Sequence, residues 1–152
     1  MKHFCILSFC FLPIIVSAQT QALDSVWLVT HYTKIDRQIP MRDGVKLYTT
    51  IYLPNDKSEK HPILMKRTPY SCGPYGENKF AEWWQSPNMV YFKENYIMVL
   101  QDVRGRYMSE GTFEDVRPFI PDKEKLKGKQ KKSTIDEASD TYDTIDWLVK
   151  NV

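Results

Sequence analysis

The chain has 152 residues, of which 42% are apolar, and a formal net charge of +2. This length suits one globular domain or part of one, and is short for an α/β enzyme whose sheet is covered on both faces. The positive charge is concentrated in six lysines between positions 123 and 132, and the rest of the chain is acidic. Because no aromatic residues alternate with these lysines, we predict a solvated loop over residues 122–134 and no nucleic-acid partner.

The first residues predict a cleavable export signal. Lys2 gives a positive start, residues 4–16 are apolar, and a Val-Ser-Ala stretch ends at Ala18. The apolar stretch is shorter than the ~20 residues that a membrane span needs. We therefore expect cleavage after Ala18, a secreted or periplasmic location and no stable membrane anchor. An uncleaved anchor and a buried N-terminal helix are the alternatives.

Cysteine and histidine are scarce in the remaining chain. Removal of residues 1–18 leaves Cys72 as the one cysteine, which excludes an internal disulfide. We favour a partly buried thiol over a nucleophile, since no base is indicated for it. His31 and His61 are the remaining histidines, and neither is expected to act as a base. No H-E-x-x-H, C-x-x-C or glycine-rich phosphate loop is present, so we predict no metal and no cofactor.

The N-terminal part of the mature chain predicts a β-hairpin. Residues 24–32 suggest a short helix or irregular segment within a lead-in segment, residues 19–34. Residues 35–39 then alternate between apolar and polar, residues 41–44 supply a Met-Arg-Asp-Gly turn, and residues 45–53 repeat with period two.

Residues 62–66 form a compact apolar run, typical of a buried strand, that leads into Arg67-Thr68-Pro69-Tyr70. After a glycine- and proline-containing loop, the aromatic-rich residues 80–94 predict an irregular helix broken at Pro87. Asn95 is a plausible stop for this helix, since asparagine tolerates the left-handed conformation. Residues 96–100 are continuously apolar, which indicates a parallel strand buried on both faces.

Residues 103–135 hold no long periodic segment, whereas an amphipathic helix begins near Ile135. Acidic residues are concentrated in its first turns and Lys150 lies at its end, as the helix dipole favours. In a doubly wound sheet, such a helix crosses over to a neighbouring parallel strand, which we expect beyond Val152. The predicted apolar face of the helix consists of Ala138, Tyr142, Ile145, Leu148 and Val149.

Two groups of residues could carry function. Tyr70, at the end of a predicted central strand, could donate a hydrogen bond to the oxyanion of a tetrahedral intermediate. Residue physics alone favours a packing aromatic with a satisfied hydroxyl. Asp102, Arg104, Arg106 and Glu110 could recognise a substrate, but we favour a loop at the rim of the site, held by internal ion pairs and backbone hydrogen bonds.

Four blocks in order shift the interpretation of Tyr70. Residues 40–47 (PMRDGVKL), 63–70 (ILMKRTPY), 101–111 (QDVRGRYMSEG) and 140–148 (DTYDTIDWL) resemble the N-terminal part of the X-Pro dipeptidyl peptidase/cocaine esterase family. This family includes α-amino acid ester hydrolases and glutaryl (cephalosporin) acylases. The resemblance runs from about Tyr32 to Val152. It departs from the family at Asn95, where glycine is common, and in the lysine run.

The resemblance implies an α/β fold class, as an incomplete α/β-hydrolase fold in which an N-terminal β-hairpin leads into a mostly parallel sheet. It also implies a serine, aspartate and histidine triad, with the Tyr70 hydroxyl in the oxyanion hole. A G-x-S-x-G nucleophile elbow is absent from this sequence. The expected organisation is a signal peptide (1–18), the lead-in segment (19–34) and the N-terminal part of a hydrolase domain (35–152).

The expected function is that of an N-terminal fragment of an exported serine hydrolase. Its substrates would be small-molecule or peptide esters and amides, of the aminoacyl, acyl or X-Pro dipeptidyl type. The nucleophile, acid and histidine are missing, so we expect the chain to be inactive alone. The alternative is a non-catalytic secreted module that binds a partner through the aromatic residues 83–92.

Overall fold

The computed structural model describes residues 12–115, 117–121, 125–129 and 134–152. Most of the predicted export signal (1–11) and much of the predicted lysine-rich loop (122–124 and 130–133) lie outside the described residues. None of the described helices is long and apolar enough to cross a membrane. The elements in chain order are α1 (Leu12–His31), β1 (Tyr32–Pro40), β2 (Lys46–Pro54), β3 (Ile63–Thr68), a 3-10 turn (Trp83–Gln85), α2 (Met89–Lys93), β4 (Ile97–Asp102) and α3 (Glu137–Asn151).

The predicted hairpin is present. Strands β1 and β2 pair antiparallel, with Ile39 opposite Leu47 and Ile35 opposite Ile51. The turn closes through the Gly44 N–H, which donates to the Met41 carbonyl at 2.9 Å. Gly44 has a φ of 91°, a conformation that favours glycine, and this explains why the turn carries it.

The sheet has the strand order β1-β2-β4-β3 and is mixed. β4 pairs antiparallel with β2 and parallel with β3. The expectation of a mostly parallel sheet is wrong for these described strands, because the hairpin contributes two antiparallel pairings and only β3 and β4 are joined by a crossover. That crossover confirms the predicted strand-crossover-strand unit.

β4 divides the core into two halves, and all six of its residues are buried, whereas the sequence predicted a buried strand over residues 96–100 only. On one face Met98 and Leu100 join a cluster with residues of α1, α2 and the segment after β3. On the other face Ile97 and Val99 pack with the hairpin and with Leu148 of α3. Alternation along the strand therefore supplies both faces of the sheet.

β3 delivers Tyr70 into a loop as predicted, but the strand itself is not buried. It lies at the edge of the described sheet, and Ile63, Leu64 and Lys66 are exposed or partly so. The apolar run was interpreted as buried because it lacks polar alternation. Among the described strands, β3 pairs with β4 alone, so one of its two edges is unpaired.

The aromatic segment after β3 forms short irregular helices separated by Pro87, as expected. Asn95 follows α2 with a φ of 57°, which confirms its predicted role as a left-handed stop. The ring of Trp83 packs 5.9 Å from that of Tyr52 and 5.5 Å from that of the fully buried Phe92. These rings belong to the core, so the alternative of a binding module built on residues 83–92 finds no support.

α1 is longer than the short helix or irregular segment predicted from residue 24, and it runs through Ala18 without a break. Leu28 is fully buried in the core and anchors the helix. The Asp24 carboxylate also accepts a hydrogen bond from Lys93 at 2.6 Å. β1 begins directly after α1 at Tyr32, three residues before the predicted strand start.

α3 begins with a capping box, in which the Asp136 carboxylate accepts from the Ser139 N–H and the Ser139 hydroxyl accepts from the Asp136 N–H. The predicted apolar face is wrong except for Leu148, because its other large members are exposed. The buried face is mainly polar instead, since it docks on Arg67 of β3, on Gln101 of β4 and on Arg104 in the loop after β4. The exposed members are Tyr142, Ile145 and Val149, and the buried residues are Ser139, Asp140, Thr144 and Leu148.

Candidate active site

The predicted site lies where two neighbouring parallel strands end. Because β3 and β4 run parallel, the loop after Thr68 and the loop after Asp102 start side by side. The Val103 N–H donates to the Thr68 carbonyl at 3.1 Å and extends the pairing into these loops. In sheets of this kind, ligands bind at the carboxyl ends of the strands.

Tyr70 projects from the first of these loops, and 83% of it is exposed. Within the described part of the chain, its hydroxyl makes no hydrogen bond. The two roles considered for Tyr70, a packing aromatic and an oxyanion donor, stay predictions. Its backbone is fixed, since its N–H donates to the Thr68 hydroxyl at 3.0 Å and the preceding Pro69 carbonyl accepts from Arg106 at 3.1 Å.

Asp102, the last residue of β4, is fully buried and ties the two loops together. One carboxylate oxygen accepts from the Cys72 N–H at 2.7 Å. The other accepts from the Tyr75 hydroxyl at 2.9 Å and from the Met108 N–H at 3.3 Å. Burial, together with the bond to Asp102, raises the pKa of Tyr75 to about 12, so its hydroxyl stays protonated and donates.

The other members of the charged cluster make ion pairs and hydrogen bonds within the chain. The Arg104 guanidinium bridges Asp43 at 2.8 Å and Asp140 at 2.7 Å, and so joins the hairpin turn to α3. Arg106 lies over the Tyr107 ring. Glu110 accepts from the Lys46 N–H at 2.9 Å and returns its own N–H to the Lys46 carbonyl.

Gly105 lies within this loop at a close approach between two stretches of backbone. A Cβ at this position would come within 2.1 Å of the Phe113 nitrogen, and its φ is 69°. Space and backbone conformation both require glycine here. The R-G-R sequence thus permits the loop to fold back on itself.

Cys72 is buried, and the two described histidines make local contacts. Burial, aided by the Asp102 carboxylate, raises the thiol pKa of Cys72 to about 12. Burial of Cys72 agrees with the favoured interpretation of a buried thiol, because a reactive cysteine needs an accessible thiolate. His31 stacks on Trp27 at the end of α1, and His61 bonds the Asp56 carbonyl in an exposed turn before β3.

A buried lysine holds the far end of the first loop. The Lys34 ammonium donates to the carbonyls of Pro74, Gly76 and Lys79 at 2.5–2.9 Å. Burial lowers its pKa, while the neighbouring Asp36 carboxylate opposes this shift. The loop that carries Tyr70 is thus held by Asp102 near its start and by Lys34 near its end.

Comparison with known proteins agrees with this geometry. The family model of X-Pro dipeptidyl-peptidase (S15 family) matches residues 43–151. The chain belongs to this family. Within the X-Pro dipeptidyl-peptidase family, the cocaine esterase of Rhodococcus sp. (strain MB1 Bresler) is 33% identical over 113 residues, which cover 74% of this chain and 16% of the esterase.

Two solved structures are similar to the chain. An α-amino acid ester hydrolase is 42% identical with a TM-score of 0.61, and an aminopeptidase from a marine sediment archaeon, Thaumarchaeota archaeon, is 40% identical with a TM-score of 0.62. Each match covers 80% of this chain and 19% of the other. The chain thus spans less than a fifth of the length of these relatives, and it has an incomplete α/β-hydrolase-like fold.

The sequence predicts Tyr70 as a candidate site residue, a prediction that stays open, and it does not reveal the groups that hold this residue. Thr68 and Pro69 were quoted only as neighbours of the tyrosine, and Asp102 was treated as one member of a charged cluster. Lys34 carried no signal, because a lysine in an alternating strand is usually solvated. The available signal for Asp102 was its position two residues after the apolar run that ends at Leu100, because it is buried where the strand ends.

Proposed function

We propose that this chain is the exported N-terminal portion of a serine hydrolase that cleaves esters or amides. The observation that carries the proposal is Tyr70, an exposed phenol with a fixed backbone at the carboxyl end of β3. In this function, Tyr70 donates a hydrogen bond to the substrate oxygen as the tetrahedral intermediate forms. Membership of a family of peptidases and esterases supports the reaction class.

The acyl group is transferred to a serine that residues 1–152 do not supply in a nucleophile elbow. A general base takes the serine proton, the serine oxygen attacks the carbonyl carbon, and the leaving alcohol or amine receives the proton. Water then hydrolyses the acyl-enzyme. Tyr70 contributes by favouring the charged oxygen of the transition state over the ground-state carbonyl. Substrates of the aminoacyl, acyl or X-Pro dipeptidyl type fit the relatives named above.

A chimera tests this function. Residues 43–151 replace the matching segment of the α-amino acid ester hydrolase, and turnover of a p-nitrophenyl ester is measured. Tyr70→Phe should lower kcat by about 10²–10³-fold with little change in KM, because one oxyanion donor is lost. Tyr91→Phe, on the partly exposed ring of α2, is the matched control and should leave kcat unchanged. Full activity of the Tyr70→Phe chimera would overturn the proposal.

The chain alone gives a second test. Purified without the chimera partner, it should not hydrolyse p-nitrophenyl esters or aminoacyl amides, because the nucleophile is missing. Turnover that stays with the protein through purification and is abolished by a serine-directed phosphonate would contradict this. The exported product should begin at Gln19 if the signal is cleaved after Ala18, and N-terminal sequencing checks this.

A further inference from the structure

Two strained residues flank the candidate site. Ser71 has a φ of 80° and Tyr107 a φ of 48°, both in the left-handed region. A residue with a Cβ is disfavoured there, so the surrounding structure must hold it in place. Ser71 directly follows Tyr70 in the first loop, and Tyr107 lies in the second loop.

The same carboxylate binds the chain directly after each strained residue. Asp102 accepts from the N–H of Cys72, which follows Ser71, and from the N–H of Met108, which follows Tyr107. Charged hydrogen bonds made without competition from water are stronger than neutral ones, and Asp102 is fully buried. One side chain therefore compensates the strain of both loops.

The backbone of Tyr70 is held by different groups on its N-terminal and C-terminal sides, and Asp102 acts on the C-terminal side. Thr68 and Arg106 fix its backbone on the N-terminal side, whereas the backbone on the C-terminal side is set by Ser71 and Cys72. We propose that Asp102 is a positioning residue that directs the Tyr70 side chain by holding Ser71 in the left-handed conformation. This inference rests on the proposed function, in which the direction of the Tyr70 hydroxyl matters.

A carboxylate is required because three donors converge on this position. The two oxygens of Asp102 serve the N–H groups of Cys72 and Met108 and the hydroxyl of Tyr75. Asparagine has the same shape but only one oxygen, and its NH₂ group would face a donor. Asp102→Asn therefore removes the function of the carboxylate with little change in volume.

Asp36→Asn is the matched control in the full chain. The Asp36 carboxylate also binds this loop, through the Gly76 N–H at 2.8 Å, and also accepts from the hydroxyls of Tyr48 and Thr50. It adjoins no strained non-glycine residue, since Gly76 adopts its φ of 102° without a Cβ. Both variants lose a charged acceptor on the loop, but only Asp102→Asn should release Ser71.

The readouts are NMR signals of the labelled chain. In Asp102→Asn, amide exchange at Cys72 and Met108 should accelerate by about tenfold or more. The ring signals of Tyr70 and the backbone coupling of Ser71 should shift. In Asp36→Asn, the Tyr70 and Ser71 signals should stay in place even if the melting temperature falls equally. Unchanged Tyr70 signals in Asp102→Asn, or equal shifts in both variants, would overturn the proposal.

A second variant covers the case in which Asp102→Asn does not fold. Glycine occupies the left-handed region without a Cβ penalty, so Ser71→Gly combined with Asp102→Asn should restore the fold and the Tyr70 signals toward those of Ser71→Gly alone. A double variant that stays unfolded would overturn the positioning role, since Asp102 would then serve stability in general.

The chimera separates this inference from the proposed function. If Tyr70→Phe leaves kcat intact while Asp102→Asn still moves the Tyr70 signals, the function fails and the positioning role stands. If Tyr70→Phe lowers kcat while Asp102→Asn leaves the Tyr70 signals and kcat unchanged, the function stands and the positioning role fails.

Discussion

Arg104 shows how a buried charge connects distant parts of this chain. Its side chain is 5% exposed and lies between the carboxylates of Asp43 and Asp140. Burial opposes its charge, but the hydrogen bonds to Asp140 and Asp43 outweigh this and raise its pKa. The arginine therefore stays charged, and it holds the hairpin turn and α3 against the loop after β4.

Arg104→Met should destabilise the chain by about 3–5 kcal/mol, because two carboxylates are left near the core without their partner. Chemical denaturation monitored by tryptophan fluorescence measures this. Lys150→Met is the control, since Lys150 pairs with Asp146 on the exposed end of α3 and should change the midpoint little. Equal midpoints for the two variants would contradict the bridging role.

We expect Cys72 to contribute to the loss of stability at alkaline pH. Its pKa is raised from 9.0 to about 12 in the folded chain, so the folded state holds a proton that the unfolded state releases between these values. Stability from this group is complete below pH 9 and falls as the pH rises toward 12. Tyr75, raised from 10.0 to about 12, adds to the fall at higher pH.

Cys72→Ala should therefore delay the alkaline fall in melting temperature toward pH 10, where the tyrosines begin to contribute. The measurement is melting temperature against pH from 7 to 11.5 in the presence of a reductant. Cys72→Ala also leaves a small cavity, so the shape of the profile is compared and not its height. Identical profiles after normalisation at pH 7 would contradict the prediction.

At the scale of the elements, α3 docks by its polar side. Arg67 of β3 donates to the Glu137 carboxylate and the Thr141 hydroxyl at 2.8 Å, and Gln101 of β4 donates to Thr144 at 3.0 Å. These bonds orient the helix across the carboxyl ends of the two strands. Apolar contact with the core comes at the other end of the helix, through Leu148.

Leu148→Ala and Val149→Ala distinguish this docking from the one predicted by periodicity. Leu148 is 1% exposed and its truncation should cost about 2–5 kcal/mol. Val149 is 73% exposed, so its truncation should change stability by less than about 0.5 kcal/mol. Urea denaturation of the two variants gives the comparison. Similar losses of stability for both variants would support the apolar face that the sequence predicted.

The hairpin, the crossover and β4 could be predicted from the sequence because each depends on local signals. Period-two alternation and a D-G turn define the hairpin, and an unbroken apolar run defines β4. The docking of α3 could not be predicted in this way. Its buried side is chosen by Arg67, Gln101 and Arg104, which are distant in sequence, and their hydrogen bonds outweigh the apolar periodicity of the helix.

The candidate site also has one part that could be predicted from the sequence and one part that could not. A short motif predicts Tyr70 as a candidate, whereas the contact of Asp102 with the same loop depends on the parallel register of β3 and β4. Strain at Ser71 and Tyr107 leaves no trace in residue type, because neither serine nor tyrosine favours the left-handed region. Only a three-dimensional arrangement reveals that one carboxylate serves both loops.

Among the described residues, exposed apolar side chains occur on the edge strand β3 and on α3. Ile63 and Leu64 on the strand and Ile145 and Val149 on α3 are exposed. A cavity of about 410 Å³ lies between the amino end of β3 and the carboxyl end of α3. An edge strand with apolar side chains is prone to pair with another chain.

We expect the purified chain to self-associate through this edge and Leu64→Lys to weaken that association, because lysine on an edge strand opposes pairing. Sedimentation velocity over a concentration series measures this. Val90→Lys, on the exposed side of α2, adds the same charge away from the edge and should leave the association unchanged. An equal effect of both variants would indicate a general effect of charge.

Lys34 determines how the loop that carries Tyr70 interacts with dissolved cations. Three carbonyl oxygens around one positive centre are a coordination that proteins elsewhere offer to dissolved cations. Here the cation is covalently tethered to β1 and cannot exchange with the medium. The geometry of residues 74–79 therefore needs no cation from the surrounding solution, because the Lys34 ammonium already binds these carbonyls.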